Sequence, residues 1–495
     1  MKAIHIPILF LIGLTTCVKV SEKPNILIIY TDEHNFRTLG CYRELLPDDQ
    51  AFIWGDGVQV ETPNLDRLAS EGLLCTSFYA ASPVCTPSRA AFMTGLYPHA
   101  TGAPQNNLPM YDSVVTFAEI LRKNGYATGY VGKWHLDGIA KPGWEPERKF
   151  GWEDNRYMFN RGHWKVFADT GNKAKVVGSH IEELDKYIYD INKADEHSFA
   201  TDFLADKTIA LMKAVEADKP FCLMLSLPDP HGPNSVRAPY DTMYNHLFFQ
   251  TPRTFHQTPE QTPGWLGGDK NMIQSDSLNQ GPMSRYFGMV KCIDDNVGKL
   301  LAFLKESGQE DNTIVVFTSD HGDLMGEHRK HNKGAPYETS AGVAFIMKYS
   351  GHIRAGKVIN KAYTSADFAP TLLGLLGWRE ALPVQHGRDD SKVFLNKLAI
   401  VDSDEITYMR AHGVDPGWVA AVSDRYKLVL SKQDVPWLFD LKEDPDELTN
   451  YYTYPGYNDI SDLFTRHLAT LMETANDPLL KEDDIRKWLL MSNDR

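Results

Sequence analysis

At 495 residues the chain exceeds the usual size of one hydrophobic core, which predicts a large domain with a smaller one beside it. A composition of 42% hydrophobic and 23% charged residues is that of a soluble globular protein, and a net charge of −14 argues against a nucleic-acid partner. Six cysteines over this length make no disulfide scaffold.

Residues 1–20 read as an export signal. Lys2 gives the positive start, and Ile6-Pro7-Ile8-Leu9-Phe10-Leu11-Ile12-Gly13-Leu14 gives an apolar run too short to span a membrane. The alternative is a buried N-terminal strand or helix. Leu14-Thr15-Thr16-Cys17 resembles a bacterial lipobox with an imperfect residue at Thr16, so Cys17 is a candidate lipid-anchor site. The expected destination is the periplasm, the outer membrane as a lipoprotein, or the exterior. No other stretch predicts a transmembrane helix.

Asn25-Ile26-Leu27-Ile28-Ile29-Tyr30 is a continuous apolar run, which predicts a strand buried on both faces of a parallel sheet. It exits into Thr31-Asp32-Glu33. Carboxylates at the C-terminal end of a buried strand are where α/β folds put their chemistry. Leu65 to Glu71 is a short amphipathic helix.

Residues 82–95 read as the mouth of a helix. Thr86 is the expected N-cap, Pro87 suits the first helical position, and Gly95 is the expected stop. Cys85 then sits among free N–H groups at the positive end of the helix dipole, with Arg89 one turn further in. Such a cysteine is either a reactive thiol or a buried structural residue.

Ser113 to Asn124 predicts a helix with Val114, Phe117, Ile120 and Leu121 on one face. Three more apolar runs then end in chemistry. Ala127–Val131 exits into Gly132-Lys133-Trp134-His135, Phe221–Leu227 into Pro228-Asp229-Pro230-His231, and Thr313–Thr318 into Ser319-Asp320-His321. Together with the first run they predict one crevice at the carboxyl edge of a parallel sheet. Thr201–Val215 and Arg285–Glu306 carry helical stripes, so strand and helix alternate as in a doubly wound α/β domain. Trp152–Ala200 and Pro239–Gly281 are polar, aromatic and weakly periodic, which predicts long surface insertions.

After Val393 the pattern changes. Trp418–Ser423, Tyr426–Leu430 and Pro436–Asp440 predict a small antiparallel sheet, and Arg466–Glu473 and Asp483–Met491 predict helices. The expected division is residues 22–393 and 394–495. Asp32, Glu33, Asp320 and His321 come from two strand ends. Clustered carboxylates favour Ca²⁺ or Mg²⁺, while the imidazole also suits transition metals.

Cys85-Thr86-Pro87-Ser88-Arg89, continuing through Ala90-Ala91-Phe92-Met93-Thr94-Gly95 to Leu96-Tyr97-Pro98-His99, resembles the signature of the sulfatase family. The resemblance extends from Pro24 to about Asn450. It includes Gly132-Lys133-Trp134-His135, Pro230-His231-Gly232-Pro233, Lys333 and the C-terminal Asp444-Pro445-Asp446-Glu447 with Asn450. It implies an alkaline-phosphatase-like fold: a mostly parallel sheet sandwiched by helices, with a smaller C-terminal antiparallel-sheet subdomain.

The resemblance also implies that a maturation enzyme converts Cys85 to formylglycine (3-oxoalanine). It implies one Ca²⁺, with Asp32, Glu33, Cys85, Asp320 and His321 as candidate ligands. Glu33 departs from the commoner Asp of the family. Arg89, Lys133, His135, His231 and Lys333 are then the catalytic cations and proton carriers around a sulfate ester. Arg89 and Lys133 hold the hydrated aldehyde, Asp320 accepts its proton, His231 or Lys333 protonates the leaving alcohol, and His135 releases the sulfate. The local basic pocket overrides the acidic global charge at close range.

His328 and His331 have no role in this scheme. An exported chain with long insertions suits a sulfated carbohydrate. Trp134, Trp152, Tyr157, Trp164 and Trp265 could stack on sugar rings or could pack the interior. Arg161, His163, Arg237 and His99 could reach carboxylates or further sulfates. The alternatives are a phosphonate or phosphate ester hydrolase on the same fold, and a non-catalytic sulfoglycan-binding relative.

Overall fold

The run Asn25–Asp32 forms β1. Ile26, Ile28 and Tyr30 pack on one side of it and Leu27 and Ile29 on the other, all fully buried. A strand with apolar residues on both faces must lie inside a sandwich. The computed structural model describes residues 23–171, 173–181, 186–266, 271–396 and 406–491. The export signal and Cys17 lie outside the described residues.

The rest of the central sheet is β2 (Leu73–Cys75), β3 (Ala127–Lys133), β4 (Asp154–Phe159), β5 (Phe221–Pro230), β6 (Thr313–Ser319), β7 (Phe345–Tyr349) and β8 (Lys357–Ile359). The order across it is β8-β2-β7-β6-β1-β5-β3-β4. β7 runs antiparallel to β6 and β2, and the other pairs are parallel. The longer helices are α1 (Pro63–Glu71), α2 (Cys85–Thr94), α3 (Phe117–Lys123), α4 (Ala200–Ala214), α5 (Gln280–Glu306), α6 (Phe368–Leu375), α7 (Asn458–Thr474) and α8 (Asp483–Met491). Phe92 of α2, Phe117 of α3 and Phe368 of α6 pack with Ile26 and Ile28. Leu65 of α1, Phe203 of α4 and Val297 of α5 pack with Leu27 and Ile29. The sheet is therefore covered on both faces, as the strand–helix alternation predicts.

Register fixes what the sheet edge presents. Gly132, Ser226, Tyr30 and Thr318 form one row across β3, β5, β1 and β6. Lys133, Asp32 and Asp320 follow at the carboxyl edge. Gly132 has φ +107°, and a Cβ there would meet the Ser226 carbonyl at 1.9 Å, so only glycine lets β3 approach β5 at this level.

The C-terminal sheet has four antiparallel strands, β9 (Thr407–Arg410), β10 (Trp418–Val422), β11 (Tyr426–Ser431) and β12 (Trp437–Asp440). Phe464, Leu468 and Met472 of α7 cover Val419, Ala421, Leu428 and Leu430. Glu447 of the C-terminal motif accepts from Glu338 N at 2.7 Å and pairs with Lys427 at 2.8 Å. It thereby ties this sheet to the segment after Lys333.

Several expectations need correction. β4 lies inside the stretch expected to be a surface insertion; Asp154 and Arg156 interrupt its apolar pattern because it is an edge strand. Of the two readings open for them, Trp134, Trp152, Tyr157 and Trp164 meet the second: all four are buried. Trp265 is half-buried against Tyr337, with ring centroids 5.2 Å apart. α2 starts at Cys85, with Val84 at the cap, so Thr86 and Pro87 lie inside its first turn. α3 starts only at Phe117, because the Thr116 hydroxyl caps it by accepting from Glu119 N. Among the described residues the five cysteines are free and buried, and no helix is long and apolar enough to cross a membrane.

Candidate active site

α2 runs from the carboxyl edge of the sheet, and its first residue is Cys85. Gly95 ends it at φ +73°. One turn in, Arg89 is fully buried. Its Nε donates to Asp320 Oδ2 at 2.8 Å and its Nη2 to Asp32 Oδ2 at 3.1 Å. Its Nη1 donates to the Lys133 carbonyl at 2.7 Å and to Ser226 Oγ at 2.8 Å. One guanidinium thus ties the helix to the ends of β1, β3, β5 and β6. Arg89 was expected to hold the nucleophile itself; the structure directs these donors to the residues that surround it.

Each carboxylate divides its oxygens. The Oδ2 atoms of Asp32 and Asp320 face Arg89, and Asp32 Oδ2 also pairs with Lys133 Nζ. The Oδ1 atoms face the centre: Asp32 Oδ1 is 3.8 Å from Cys85 Sγ, and Asp320 Oδ1 is 3.4 Å from His321 Nε2. Cys85 Sγ is 3.3 Å from His321 Nε2. Donor atoms of Asp32, Cys85, Asp320 and His321 all lie within 4.8 Å of one another. Two carboxylates, an imidazole and the group at position 85 suit a divalent cation.

Burial and Cys85 oppose ionisation of Asp32, yet Lys133 and Arg89 outweigh them and draw its carboxyl down to about 2. Burial and Asp32 push Asp320 up. Burial also pushes the Cys85 thiol up, but Lys133, Lys333 and His321 draw it well below its ordinary value. Position 85 therefore lies in a positive field that favours an anion.

Glu33 turns away from that cluster, at φ +63°. Its Oε1 is 3.1 Å from Lys333 Nζ and its Oε2 is 3.1 Å from His231 Nε2. Glu33 was expected among the metal ligands; the structure instead groups it with Lys333 and His231. Burial pushes its carboxyl up to about 8, against the pull of Lys333. Lys333 Nζ is 2.7 Å from His231 Nε2, and the Nδ1 of His231 lies 2.8 Å from the Gly232 carbonyl. That arrangement suits a ring protonated at Nδ1 with Nε2 accepting from the ammonium. Burial, then His163 and Lys333, hold His231 well below its ordinary value.

His135 is nine-tenths buried, and its Nδ1 has no hydrogen-bond partner among the described residues. Burial draws it down to about 4. Its backbone is fixed by Thr86 Oγ1, which donates to the His135 carbonyl at 2.9 Å.

The structure adds residues that the sequence did not single out for these positions. His163 stacks on His231 with ring centroids 3.4 Å apart, and its Nε2 is 2.7 Å from Lys133 Nζ. It follows β4, the strand hidden in the expected insertion. Lys165, fully buried, pairs with Asp229 Oδ1 and donates to the His231 carbonyl at 3.0 Å. Thr201 Oγ1 donates to Asp229 Oδ2 at 2.6 Å. Two residues expected near the substrate are engaged elsewhere: Arg237 binds Asp202 at 2.8 and 2.9 Å, and His99 Nε2 lies 2.8 Å from the Ala475 carbonyl. His328 is a packing residue, stacked on Tyr337 with ring centroids 3.4 Å apart.

The Sulfatase family model matches residues 24–378, and a second model, N-sulphoglucosamine sulphohydrolase, C-terminal, matches residues 326–474. The chain is similar to an N-acetylglucosamine-6-O-sulfatase of Bacteroides thetaiotaomicron, at 26% identity over 96% of this chain and 90% of that one. A solved structure described under the metabolism of multiple glycosaminoglycans by the same organism superposes with a TM-score of 0.74. It is 22% identical and covers 94% of this chain and 100% of its own. The phosphonate monoester hydrolase of Agrobacterium radiobacter superposes with a TM-score of 0.69, at 22% identity over 92% of this chain and 96% of its own.

Proposed function

The chain belongs to the sulfatase family and is a sulfuric ester hydrolase, and we propose that it desulfates a carbohydrate through a formylglycine made from Cys85 and a bound Ca²⁺. The observation that carries this reading is the position of Cys85. It opens a helix at the sheet edge, 3.3 Å from His321 and 3.8 Å from Asp32, in a field that stabilises an anion.

Formylglycine supplies a hydrated aldehyde with one hydroxyl to attack sulfur and a second to expel sulfate afterwards. Asp32, Asp320, His321 and residue 85 would hold the Ca²⁺, which would supply fixed positive charge to the sulfate. Arg89 holds the two carboxylates in register with the helix. Lys133 and Lys333 supply further charge to the ester as its S–O bond breaks. Asp320 accepts the proton of the attacking hydroxyl. Once the entering sulfate anion draws a proton from solvent onto Nε2 of His231, the imidazolium delivers that proton to the departing alcohol oxygen and returns to the neutral ring, with Lys333 beside it. His135 removes the proton of the remaining hydroxyl, and its Nδ1, without a hydrogen-bond partner among the described residues, suits that task. Export through residues 1–20 and maturation by a formylglycine-generating enzyme belong to the same proposal.

The test is peptide mass analysis of residue 85 after co-production with a maturation enzyme, followed by sulfate release from sulfated sugars. Cys85→Ala should release none while keeping the wild-type melting curve, and a chelator should abolish turnover until Ca²⁺ is returned. Sulfate release by folded Cys85→Ala would remove the nucleophile from the proposal. Faster turnover of a phenyl phosphonate than of any sulfate would favour the phosphonate reading.

A further inference from the structure

The residues that follow β4 close on His231 from two sides. Gly162 stands at φ +112°, and a Cβ there would meet the Trp164 ring at 2.3 Å, so only glycine lets the chain turn with that ring folded back over it. Trp164 is buried, and its Nε1 donates to the Arg161 carbonyl at 2.9 Å. Beyond the turn the chain is pinned to the start of α4. Ala200 N donates to the Lys165 carbonyl at 2.9 Å, and Phe167 N to the Ser198 carbonyl at 2.8 Å. A turn locked on one side and a backbone pinned on the other leave His163 little freedom between them.

Lys165 holds the main chain of His231, because it pairs with Asp229 and donates to the His231 carbonyl at 3.0 Å. His163 holds the ring. The two imidazoles stack with centroids 3.4 Å and planes 7° apart. The edge of His163 is held in turn: its Nε2 faces Lys133 Nζ at 2.7 Å, and Lys133 pairs with Asp32. The other contacts of the His231 ring lie at its nitrogens, with Nδ1 2.8 Å from the Gly232 carbonyl and Nε2 2.7 Å from Lys333 Nζ. An imidazole held at its two nitrogens can still rock about the line between them. A parallel ring against its face stops that motion. Hydrogen bonds weaken steeply as they bend, so a rocking ring delivers its proton poorly.

We propose that His163 is a positioning residue for the leaving-group step. Its ring keeps the His231 imidazole in the plane from which Nε2 reaches the departing oxygen, and it acts on that step only through His231. The proposal rests on the sulfatase mechanism above, with His231 as the acid.

The experiment uses the matured, Ca²⁺-loaded full chain and two substrates, a monosulfated amino sugar and nitrophenyl sulfate. The quantity read is the ratio of their kcat values, in which losses common to both substrates cancel. The His163 side chain is 24% exposed, so its truncation opens no sealed cavity. His163→Ala should lower the ratio by about 10- to 100-fold, the cost of a misplaced acid. His163→Phe restores a flat ring without a nitrogen for Lys133, and it should recover most of the ratio. In a His231→Ala background, His163→Ala should change the ratio by less than about twofold, because no acid is left to position. A ratio within about twofold of wild type in His163→Ala overturns the proposal, as does a further fall in the double variant. No recovery in His163→Phe overturns it too.

A second arm needs no turnover. Crystal structures of full-chain Cys85→Ala and Cys85→Ala/His163→Ala should show the His231 ring displaced by more than about 0.5 Å or turned by more than about 20° in the double variant. A displaced ring with no sulfate release by the matured wild type would sink the catalytic reading and keep the positioning contact. Sulfate release with an unmoved ring would sink the proposal and keep the catalytic reading.

Discussion

Removing the His231 imidazole should cost most where the leaving group most needs a proton. Nε2 of His231 is 2.7 Å from the Lys333 ammonium and 3.1 Å from Glu33, and the ring is held flat by His163 at 3.4 Å. Burial and neighbouring cations keep the free imidazole neutral, whereas Lys333 is held charged by Cys85, Glu33 and Asp32 despite its burial. Lys333 is therefore suited to fixed charge, and His231 to passing a proton at Nε2 once a sulfate anion has entered. General acid catalysis is worth about 10²–10⁴-fold, or roughly 3–5 kcal/mol of barrier. A sugar alkoxide needs that help and a nitrophenolate hardly does. His231→Ala should lose about 10²–10⁴-fold in kcat on a sugar sulfate and at most about tenfold on nitrophenyl sulfate. The assay is sulfate release by ion chromatography under saturating substrate, with single-turnover measurements to show that cleavage limits the rate. An equal loss on both substrates would refute the assignment and move the acid to Lys333.

Asp320→Asn should lower kcat by about 10²–10⁴-fold, the range of a lost acid–base group; elemental analysis should also show less Ca²⁺ per chain, and wild-type kcat with full Ca²⁺ would reject both roles. Lys165→Met leaves Asp229 buried with Thr201 as its remaining donor, so it should destabilise the fold by about 3–5 kcal/mol in urea unfolding. Adding Asp229→Asn should return part of that stability, and no recovery would mean that the pair is not the source. His328 gives the pH prediction: burial draws its imidazole from 6.5 to about 3. Between those values the unfolded chain holds a proton that the folded chain does not, so stability falls as pH falls. Wild type should lose about 1.4 kcal/mol more per pH unit than His328→Phe below pH 6.5, and parallel curves would discount the residue.

The strands that carry the site were legible because β1, β3, β5 and β6 are buried on both faces and read as unbroken apolar runs. β2 and β8 have three residues each and leave too little pattern to recognise. β4 opens on three polar residues, Asp154-Asn155-Arg156, at a sheet edge, so its pattern resembles a loop and gives no sign that His163 behind it lies against His231. Tryptophan type alone does not say which side of a wall it faces; Trp134 and Trp152 proved to be core. Adjacent acids are equally ambiguous. Asp32 and Glu33 share a strand exit, but the left-handed backbone at Glu33 sends its carboxylate to Lys333. The Lys165–Asp229 pair joins residues 64 apart, and no local signal announces such a contact.

The two-sided carboxylates explain how an acidic protein can build an anion site. Asp32 and Asp320 are shielded from solvent and bound on one edge by Arg89, so their charge does not project into the cleft as a free surface acid would. Their inner oxygens remain directed at residue 85 and His321. Surface charges farther off than about 10 Å are screened at ordinary ionic strength, whereas Lys133, Lys333 and His321 act over a few ångströms in a buried setting. Arg89 is the hinge of this arrangement. Its five-donor fork meets the ends of four strands at once, which a lysine's point charge could not do. The same contacts that hold α2 on the sheet edge therefore set the distance from position 85 to both carboxylates. Fold and site share one set of bonds, and a change that loosens the helix from the sheet also takes the nucleophile out of register.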